Sequence, residues 1–556
     1  MERTLVGTRT VAENLLQHMA VPAKGAVYQI GCLEQRVTLY SQQVRALNLV
    51  FALFDQKRLA AGGRVIVVGG GAAGLTAAVA SAALGASVTV LERLDTLLPF
   101  QSGNLTRWLH PHIYEWPEPS YRHSDAGLPL MNWAAGYAAD VAKSLRESFY
   151  RSARDKRLKD ETGVRNVKLH PGPGTSQRLE WNESKGRFRS ESFDALILAI
   201  GFGLERPSSL GPVLSYWRND DLSQPELDAD RKRHYLISGC GDGGLVDLLR
   251  IRIREFRHDK MIEEFIGQSV EQKLKDDLLH VEETAHQMAA RGEDPSDFLY
   301  DEYQRLRPGI VDEQIMGRLR QDTQATLNGP SRFPWNLNTS ILNRFLASAL
   351  IGLKGDTVGA DWWRGTLKSI TQEAAQCAVH IENEEVRRFD RVILRHGPEP
   401  VLGKWLSKAD LDPLRARNVL DQTRVPAWPD GYFGEEPAKQ APVERPTRPP
   451  RKQTIQISIP GQDKRGMKVF DLDIGTYGIS TFQDLVDVVF AALKKIPAFT
   501  YGKTWRLRNL QTGQKLTHIR ERNEKKLFGQ PVADPRPLDQ AGVLPGDVLE
   551  VVFLTE

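Results

Sequence analysis

From Arg64 onward the chain falls into a regular succession of apolar and small residues. An unbroken apolar run, Val65-Ile66-Val67-Val68, is followed by Gly69-Gly70-Gly71-Ala72-Ala73-Gly74, an alanine-rich stretch Leu75–Leu84, Gly85, and a second apolar run Val88–Leu91 that stops at Glu92. Such a pattern predicts strand, tight turn, helix and strand, both strands being buried on two faces. Upstream, Leu47, Val50, Phe51 and Phe54 recur at helical spacing within Val37–Arg58 and predict a helix that packs on this unit. A further helix is expected near Ala134–Lys156. Short alternating runs at Val167–His170, Arg178–Trp181 and Arg187–Arg189 lead into the apolar strand Ala195–Ile200, which reads as a small antiparallel excursion before a return to the parallel sheet.

A second strand and glycine turn begins at Tyr235-Leu236-Ile237-Ser238-Gly239. Between Val246 and Thr326 the sequence is charged and helical in period, and runs such as Glu271–Asp277 read as solvated helix faces. A later apolar strand, Val392–Leu394, ends in His396-Gly397. Pro437–Lys452 holds five prolines among mixed charges and almost nothing to bury, so an extended linker is expected. A compact unit then starts afresh: strands at Thr454–Ile459 and Lys468–Ile474, a helix at Thr481–Lys494, and strands at Trp505–Asn509 and Val548–Leu554. Ile455, Ile457 and Ile459 alternate on one strand face, and Phe482, Leu485, Val489 and Leu493 line one helix face. The expected organisation is a helical extension (1–61), an α/β Rossmann-type region (62–205), a second nucleotide-binding-like region with a helical insertion (206–400), a linker (401–452) and an α+β domain (453–556).

Composition narrows the function classes. A net charge of +4 over 556 residues argues against a binder working through one large basic field, so nucleic acid is not an expected partner. Cys32, Cys240 and Cys377 are far apart and form no CxxC pair, which argues against a disulfide framework, a zinc site or a redox dithiol. The start, Met1-Glu2-Arg3-Thr4, has no apolar stretch behind it, and Val65–Leu91 is broken by five glycines, so neither a secretory signal nor a membrane span is expected. A soluble cytoplasmic protein is the expectation.

The chemistry centres on the first glycine turn. Gly69 permits the turn, Gly71 lets a pyrophosphate approach the backbone, Gly74 lets helix and strand pack closely, and free amides at the helix start face phosphate charge. Glu92 lies 18 residues past Gly74, where an acid accepts ribose hydroxyls. This stretch resembles the amino-terminal FAD-binding segment of two-dinucleotide-binding-domain flavoproteins. Phe193–Phe202, with its turn at Gly201, is similar to their later strand near the cofactor. The resemblance covers residues 62–205 and again 389–400, and departs from the family at His396, where a small residue or threonine is usual. It implies FAD as cofactor.

Gly239-Cys240-Gly241-Asp242-Gly243-Gly244 also follows a strand and matches the same motif at Gly239, Gly241 and Gly244. In the flavoproteins it resembles, this position binds NAD(P)H, the hydride donor to the flavin. The next strand and its terminal acidic or basic residue are not evident after Arg250, so nicotinamide binding, a structural turn and an altered ligand site all stay open. Asp242 would sit unfavourably close to a pyrophosphate. Arg250, Arg252 and Arg254 suit a 2′-phosphate or, more simply, one solvent-facing side of a helix.

The candidate reacting stretch is Asn104–Pro117. Arg107 is a candidate to neutralise a reduced flavin or a substrate carboxylate, and His110 and His112 are candidates to move protons near neutral pH; a rigid proline-bounded loop is the plainer reading. No acid or cysteine cluster accompanies His110-x-His112, so no metal is expected. Asn336–Ser340 and Asn343-Arg344 form a second polar cluster before an apolar helix, which reads as the lining of a substrate pocket or, more simply, as that helix's cap. Without a dithiol, the acceptors left to a reduced flavin are oxygen, a small organic substrate or a partner protein. The carboxy-terminal unit, with Leu538–Leu549 before its last strand, resembles a ubiquitin-like β-grasp domain; the chain ends Leu554-Thr555-Glu556 without a diglycine, which suits a fixed recognition module. Fusions of this kind look like those of bacterial conflict or ubiquitin-related operons. The resulting expectation is an FAD-dependent oxidoreductase reduced by NAD(P)H and tethered to a protein partner through residues 453–556, with a non-catalytic FAD- or NAD-binding sensor or interaction protein as the alternative.

Overall fold

The computed structural model describes residues 10–434 and 454–554, leaving out 23, 34–36, 155–156, 171–176, 204, 207, 212, 214, 224–231, 308, 354–358, 374–375, 383–384, 400, 418–422, 461–467, 475–478, 480, 494–500, 511, 519–533, 535 and 545–546. The chain divides into two units, Met1–Pro437 and Ala438–Glu556. The expected linker Pro437–Lys452 lies outside the described residues, as does Lys494 at the end of the expected helix Thr481–Lys494.

The first unit opens on a five-stranded parallel sheet in the order Val27–Gln29, Ala195–Leu198, Arg64–Val68, Ser87–Leu91, Leu158–Glu161. Alternation along Arg64–Val68 sends Val65 and Val67 into one core and Ile66 and Val68 into another, so both faces are covered. The helix Ala72–Ala83 lies over the first face; its alanines carry high helix propensity and little bulk, which allows close packing on the helix Leu39–Asp55. Leu39–Asp55 is buried on nearly every side, and its polar residues are correspondingly engaged. Gln43 donates to Thr76 Oγ1 at 3.1 Å and accepts from Trp133 Nε1 at 2.7 Å, while Asn48 donates to the carbonyls of Thr423 and Val425, each at 2.8 Å.

Residues 1–61 are more than the expected helical extension: Val27–Gln29 joins the sheet edge beside Ala195–Leu198. A strand of only three residues gives too short a period to read from sequence. The expected antiparallel excursion is a three-stranded meander, Arg165–His170, Arg178–Asn182 and Phe188–Ser192.

A second parallel sheet runs in the order Asp361–Arg364, Thr323–Gly329, Arg233–Ser238, Arg391–Leu394. After Arg233–Ser238 come the second glycine turn and the helix Asp242–Arg252. Thr323–Gly329, whose existence the sequence did not betray, then pairs in parallel beside Arg233–Ser238. A helical insertion separates the two: His258–Met261, a π-helical turn Ile262–Ile266, and helices Gly267–Ala290, Ser296–Arg305 and Gly309–Arg318. The reading of Arg250 and Arg252 as a solvent face is corrected, since both are buried. Arg252 donates to the carbonyls of Gly359 at 2.5 Å and Arg320 at 2.8 Å, tying its helix to neighbouring loops. Arg254 is exposed.

The second unit is a four-stranded mixed sheet in the order Lys468–Asp473, Thr454–Ile459, Val548–Phe553, Trp505–Asn509, with a parallel central pair and antiparallel outer pairs. The helix Phe482–Ala491 starts at a capping box between Thr481 and Asp484, and its Phe482, Leu485 and Val489 join Ile455, Ile457, Leu507 and Val551 in one core. Among the described residues no helix is long and apolar enough to cross a membrane.

Candidate functional site

The two glycine turns share one geometry. Gly69 and Gly239 hold φ of 114° and 125°, values that favour glycine. A Cβ on Gly69 would run into the Ala199 carbonyl, and one on Gly239 into the Arg395 carbonyl; at the third glycine, a Cβ on Gly74 or Gly244 would strike the carbonyl oxygen of the first glycine in the same turn. These four positions are therefore closed to any larger residue. The middle glycines differ. Gly71 (φ −82°) and Gly241 (φ −79°) are the N-caps of Ala72–Ala83 and Asp242–Arg252, and a Cβ on either would meet nothing within 4 Å. Each turn thus leaves an open cradle at a helix N-terminus, where unpaired amides and the helix dipole favour an anionic group. Gly201, at the end of Ala195–Leu198, has φ 65° and open space where its Cβ would be.

Strand ends next to the turns are unlike each other. Glu92 is buried; its Oε2 accepts the Gly70 amide and its Oε1 the Leu94 amide, both at 2.8 Å, so the carboxylate braces the first turn while lining the open space in front of it. At the second turn the corresponding strand ends in Gly329, which takes the place of Glu92, because Asn328 pairs with Ser238 as Leu91 does with Val68. Asn328 Oδ1 accepts from Ser238 Oγ at 2.8 Å, and its Nδ2 donates to the carbonyls of Trp363 and Gly365 at 2.9 Å, so it serves the sheet itself. His396 Nε2 lies 2.8 Å from Ser238 Oγ and lines a separate small cavity of about 180 Å³.

Both turns open onto one cavity of about 2070 Å³, lined by Gly69, Gly71, Glu92 and Gly201 on one side and Gly241, Asp242 and Gly244 on the other. It exceeds the roughly 300–1,000 Å³ of a site for one drug-sized ligand. Asp242 is not poised against a phosphate in the way the sequence suggested. Its Oδ1 accepts the Ser340 amide at 2.9 Å and Asn343 Nδ2 at 2.8 Å, so its charge rests on the N-terminus of Ile341–Gly352, where Ser340 is the cap.

The stretch Asn104–Pro117 runs through this cavity, with a cis bond at Trp116-Pro117. Its candidates have distinct surroundings. Arg107 is buried and donates to Asp247 Oδ1 at 2.6 Å and Asp220 Oδ2 at 3.1 Å, with its guanidinium 3.8 Å from the Tyr216 ring centre. Arg395 donates to the other oxygen of Asp247 at 2.8 Å, and Arg250 pairs with Asp220 at 2.7 Å. Burial pushes the Asp247 carboxyl up, but Arg107, Arg395 and Arg250 together hold it below the usual carboxylate range. The expectation of Arg107 as a free cation for flavin or substrate is therefore corrected: its charge is matched by two carboxylates, and it pins the stretch to the helix Asp242–Arg252.

His112 is buried and outside the cavity lining; Nδ1 pairs with Glu115 at 3.1 Å and Nε2 lies 3.2 Å from the Asp125 carbonyl. Burial lowers its pKa, but Glu115 and the Asp125 and Ala126 carbonyls outweigh that and raise it. With both nitrogens engaged it holds Glu115, which does line the cavity, in place of the proton-moving role read from sequence. His110 is half-buried and lines the cavity, and burial brings its pKa down to about 4, so near neutral pH the ring is uncharged.

Sequence reasoning missed the insertion's share of the cavity. Phe256, Arg257, His258 and Lys260 line it, and Arg257 stacks 3.6 Å over the Trp108 ring while His258 meets the Tyr114 ring at 5.5 Å. The charged, helical character of that region gave no sign of it. Cys240 donates to the Asn328 carbonyl at 3.5 Å, and burial pushes its thiol up to about 12. Among the described residues, no group of three or more His, Cys, Asp or Glu side chains is placed to hold a metal.

Residues 64–196 match the family model described as FAD dependent oxidoreductase. The match begins on the first strand of the glycine turn and ends within Ala195–Leu198, so it spans the strands that carry Gly69, Gly71, Gly74 and Glu92. FAD is the cofactor of this segment. The residues fit it: the cradle at Gly71 would take the pyrophosphate and Glu92 stands at the ribose position. No curated protein matches the chain. Among solved structures, similar chains include a bacillithiol disulfide reductase from Bacillus cereus (11% identity, 60% of this chain and 76% of that one, TM-score 0.32) and a thioredoxin reductase from Lactococcus lactis (11%, 60% and 77%, 0.31). A water-forming NADH oxidase from Lactobacillus brevis is also similar (14%, 60% and 54%, 0.26).

Proposed function

We propose that this chain is an oxidoreductase whose flavin is reduced by NAD(P)H at the second glycine turn and reoxidised by a small organic acceptor in the same cavity. The observation that carries the reading is the shared geometry of the two turns, each with an open middle glycine at a helix N-terminus and both facing one cavity. FAD, held by residues 69–74, 92 and 201, supplies two-electron chemistry when bound. The chain's own residues shape its surroundings: Arg107 and Asp247 fix the aromatic stretch, and the insertion closes the opposite wall. Among the described residues the three cysteines form no disulfide, which supports direct transfer to the acceptor.

The purified protein should be yellow and should bleach under NADPH or NADH without oxygen. A colourless protein that takes up no FAD would overturn the proposal. Gly329, standing where an acid or base would select the nicotinamide ribose, supports a second reading, a flavin-holding sensor without turnover; a yellow protein indifferent to both dinucleotides would favour it.

We further infer that residues 453–556 form a ubiquitin-like β-grasp module that engages a protein partner. Supporting this is the strand order among the described residues, with Thr454–Ile459 and Val548–Phe553 parallel at the centre and the helix Phe482–Ala491 sharing their core. Partner capture by full-length protein, lost on removal of 453–556 while flavin stays, tests it.

A further inference from the structure

The stretch that crosses the cavity folds onto itself at His110. The backbone amide of His112 donates to His110 Nδ1 at 3.3 Å. An amide can only donate, so Nδ1 must be unprotonated, and the neutral ring carries its hydrogen on Nε2. Protonating Nδ1 would set two hydrogens against each other. The groups facing the ring are Asp259 and His258 from the insertion, and His112 and Glu115 from its own stretch. Burial outweighs the pull of the two carboxylates, so the ring is neutral over the physiological range. His110 is thus a fixed donor in the cavity and neither a base nor a shuttle.

Its neighbours define what such a donor meets. Trp108, Tyr114, Tyr137 and Phe256 give planar walls along the cavity. On the same stretch Thr106 Oγ1 and Trp108 Nε1 are buried without a partner, so donor capacity exceeds the local acceptors. The nearby guanidinium groups are already engaged, Arg107, Arg250 and Arg395 by Asp247 and Asp220, and Arg257 by Asp259. An uncharged oxygen acceptor needs only a neutral donor, which is what His110 Nε2–H offers.

We propose that His110 Nε2–H is the hydrogen-bond donor that orients a planar, uncharged conjugated carbonyl compound between Asn104–Pro117 and the insertion, and that this is the acceptor class of the enzyme. The inference rests on the oxidoreductase reading and narrows its substrate. A hydrogen bond of this kind strengthens as charge builds on the carbonyl oxygen, so the donor favours a reduced acceptor over the resting one.

The test uses FAD-loaded, oxidised full-length protein titrated with duroquinone and, separately, with naphthoate, read by the change in flavin absorption. His110→Leu should weaken duroquinone binding roughly fivefold to tenfold, as loss of one hydrogen bond does, with flavin content unchanged. His110→Gln, which offers an amide donor at similar reach, should come within about threefold of the parent. A purely structural role would not show that rescue. Equal duroquinone binding by parent and His110→Leu would overturn the proposal, as would naphthoate binding more tightly than duroquinone and losing that advantage in Lys260→Gln, since Lys260 also lines the cavity. Failure of the oxidoreductase reading looks different: the parent itself would hold no flavin.

Discussion

Asp247 and Arg107, 140 positions apart in the chain, meet at 2.6 Å with both side chains almost wholly buried. The pair joins the aromatic stretch of the FAD-binding half to the helix behind the second glycine turn, and Arg395 at the end of Arg391–Leu394 closes on the same carboxylate. Asp247→Asn leaves three guanidinium groups around one remaining carboxylate, Asp220. It should cost about 3–5 kcal/mol of stability, as removal of one member of a buried pair does, measured by urea unfolding.

The same carboxylate gives a pH dependence. Its pKa is depressed in the folded protein, so the stability it contributes is fully present above the ordinary aspartate value near pH 4 and is lost as pH falls through the lower, folded value. Unfolding midpoints measured from neutral pH downward should fall more steeply in the parent than in Asp247→Asn.

His110 titrates in a different window. With its folded pKa near 4 against about 6.5 unfolded, unfolding takes up a proton between those values, so stability is flat above that range and declines as pH drops through it. Histidine ring resonances should report a neutral, Nε2-protonated His110 at pH 6; an imidazolium there would contradict the assignment.

The glycines of the first turn should separate into two classes. Gly71→Val places a side chain in open space with no backbone conflict, so the protein should fold and lose FAD. Gly74→Ala drives a methyl group into the Gly69 carbonyl, so thermal stability should drop before cofactor binding is even considered. Comparable Tm values for the two variants would count against this geometry.

How much of this could be read in the chain follows from where the physical signal lies. The run Val65–Leu91 was legible because buried parallel strands are continuously apolar and the turn between them admits only glycine at Gly69 and Gly74. Thr323–Gly329 was illegible because Thr323, Thr326 and Asn328 are polar yet buried, satisfied by partners distant in sequence such as Ser238 and Trp363. The helical insertion hid it further. Asp247 did leave a trace, as a lone acid within Leu245-Val246-Asp247-Leu248-Leu249, a residue that an apolar helix face tolerates only when paired. Nothing local marked Arg257 and His258 as cavity residues, since their role depends on Trp108 and Tyr114 arriving from the other half.

Removing residues 453–556 should leave flavin content and NADPH response as they are, because the cavity is lined wholly from the first unit. Loss of flavin on that truncation would show that the second unit is needed for the first.

The central claim is that the second turn feeds electrons to a flavin held by the first. Anaerobic reduction of the flavin absorption band by NADPH and NADH, compared between the parent and Gly241→Val, tests it most directly. The parent should bleach, and Gly241→Val should keep its full complement of FAD, resist both dinucleotides and still bleach with dithionite. Bleaching of Gly241→Val at the parental rate would contradict the claim.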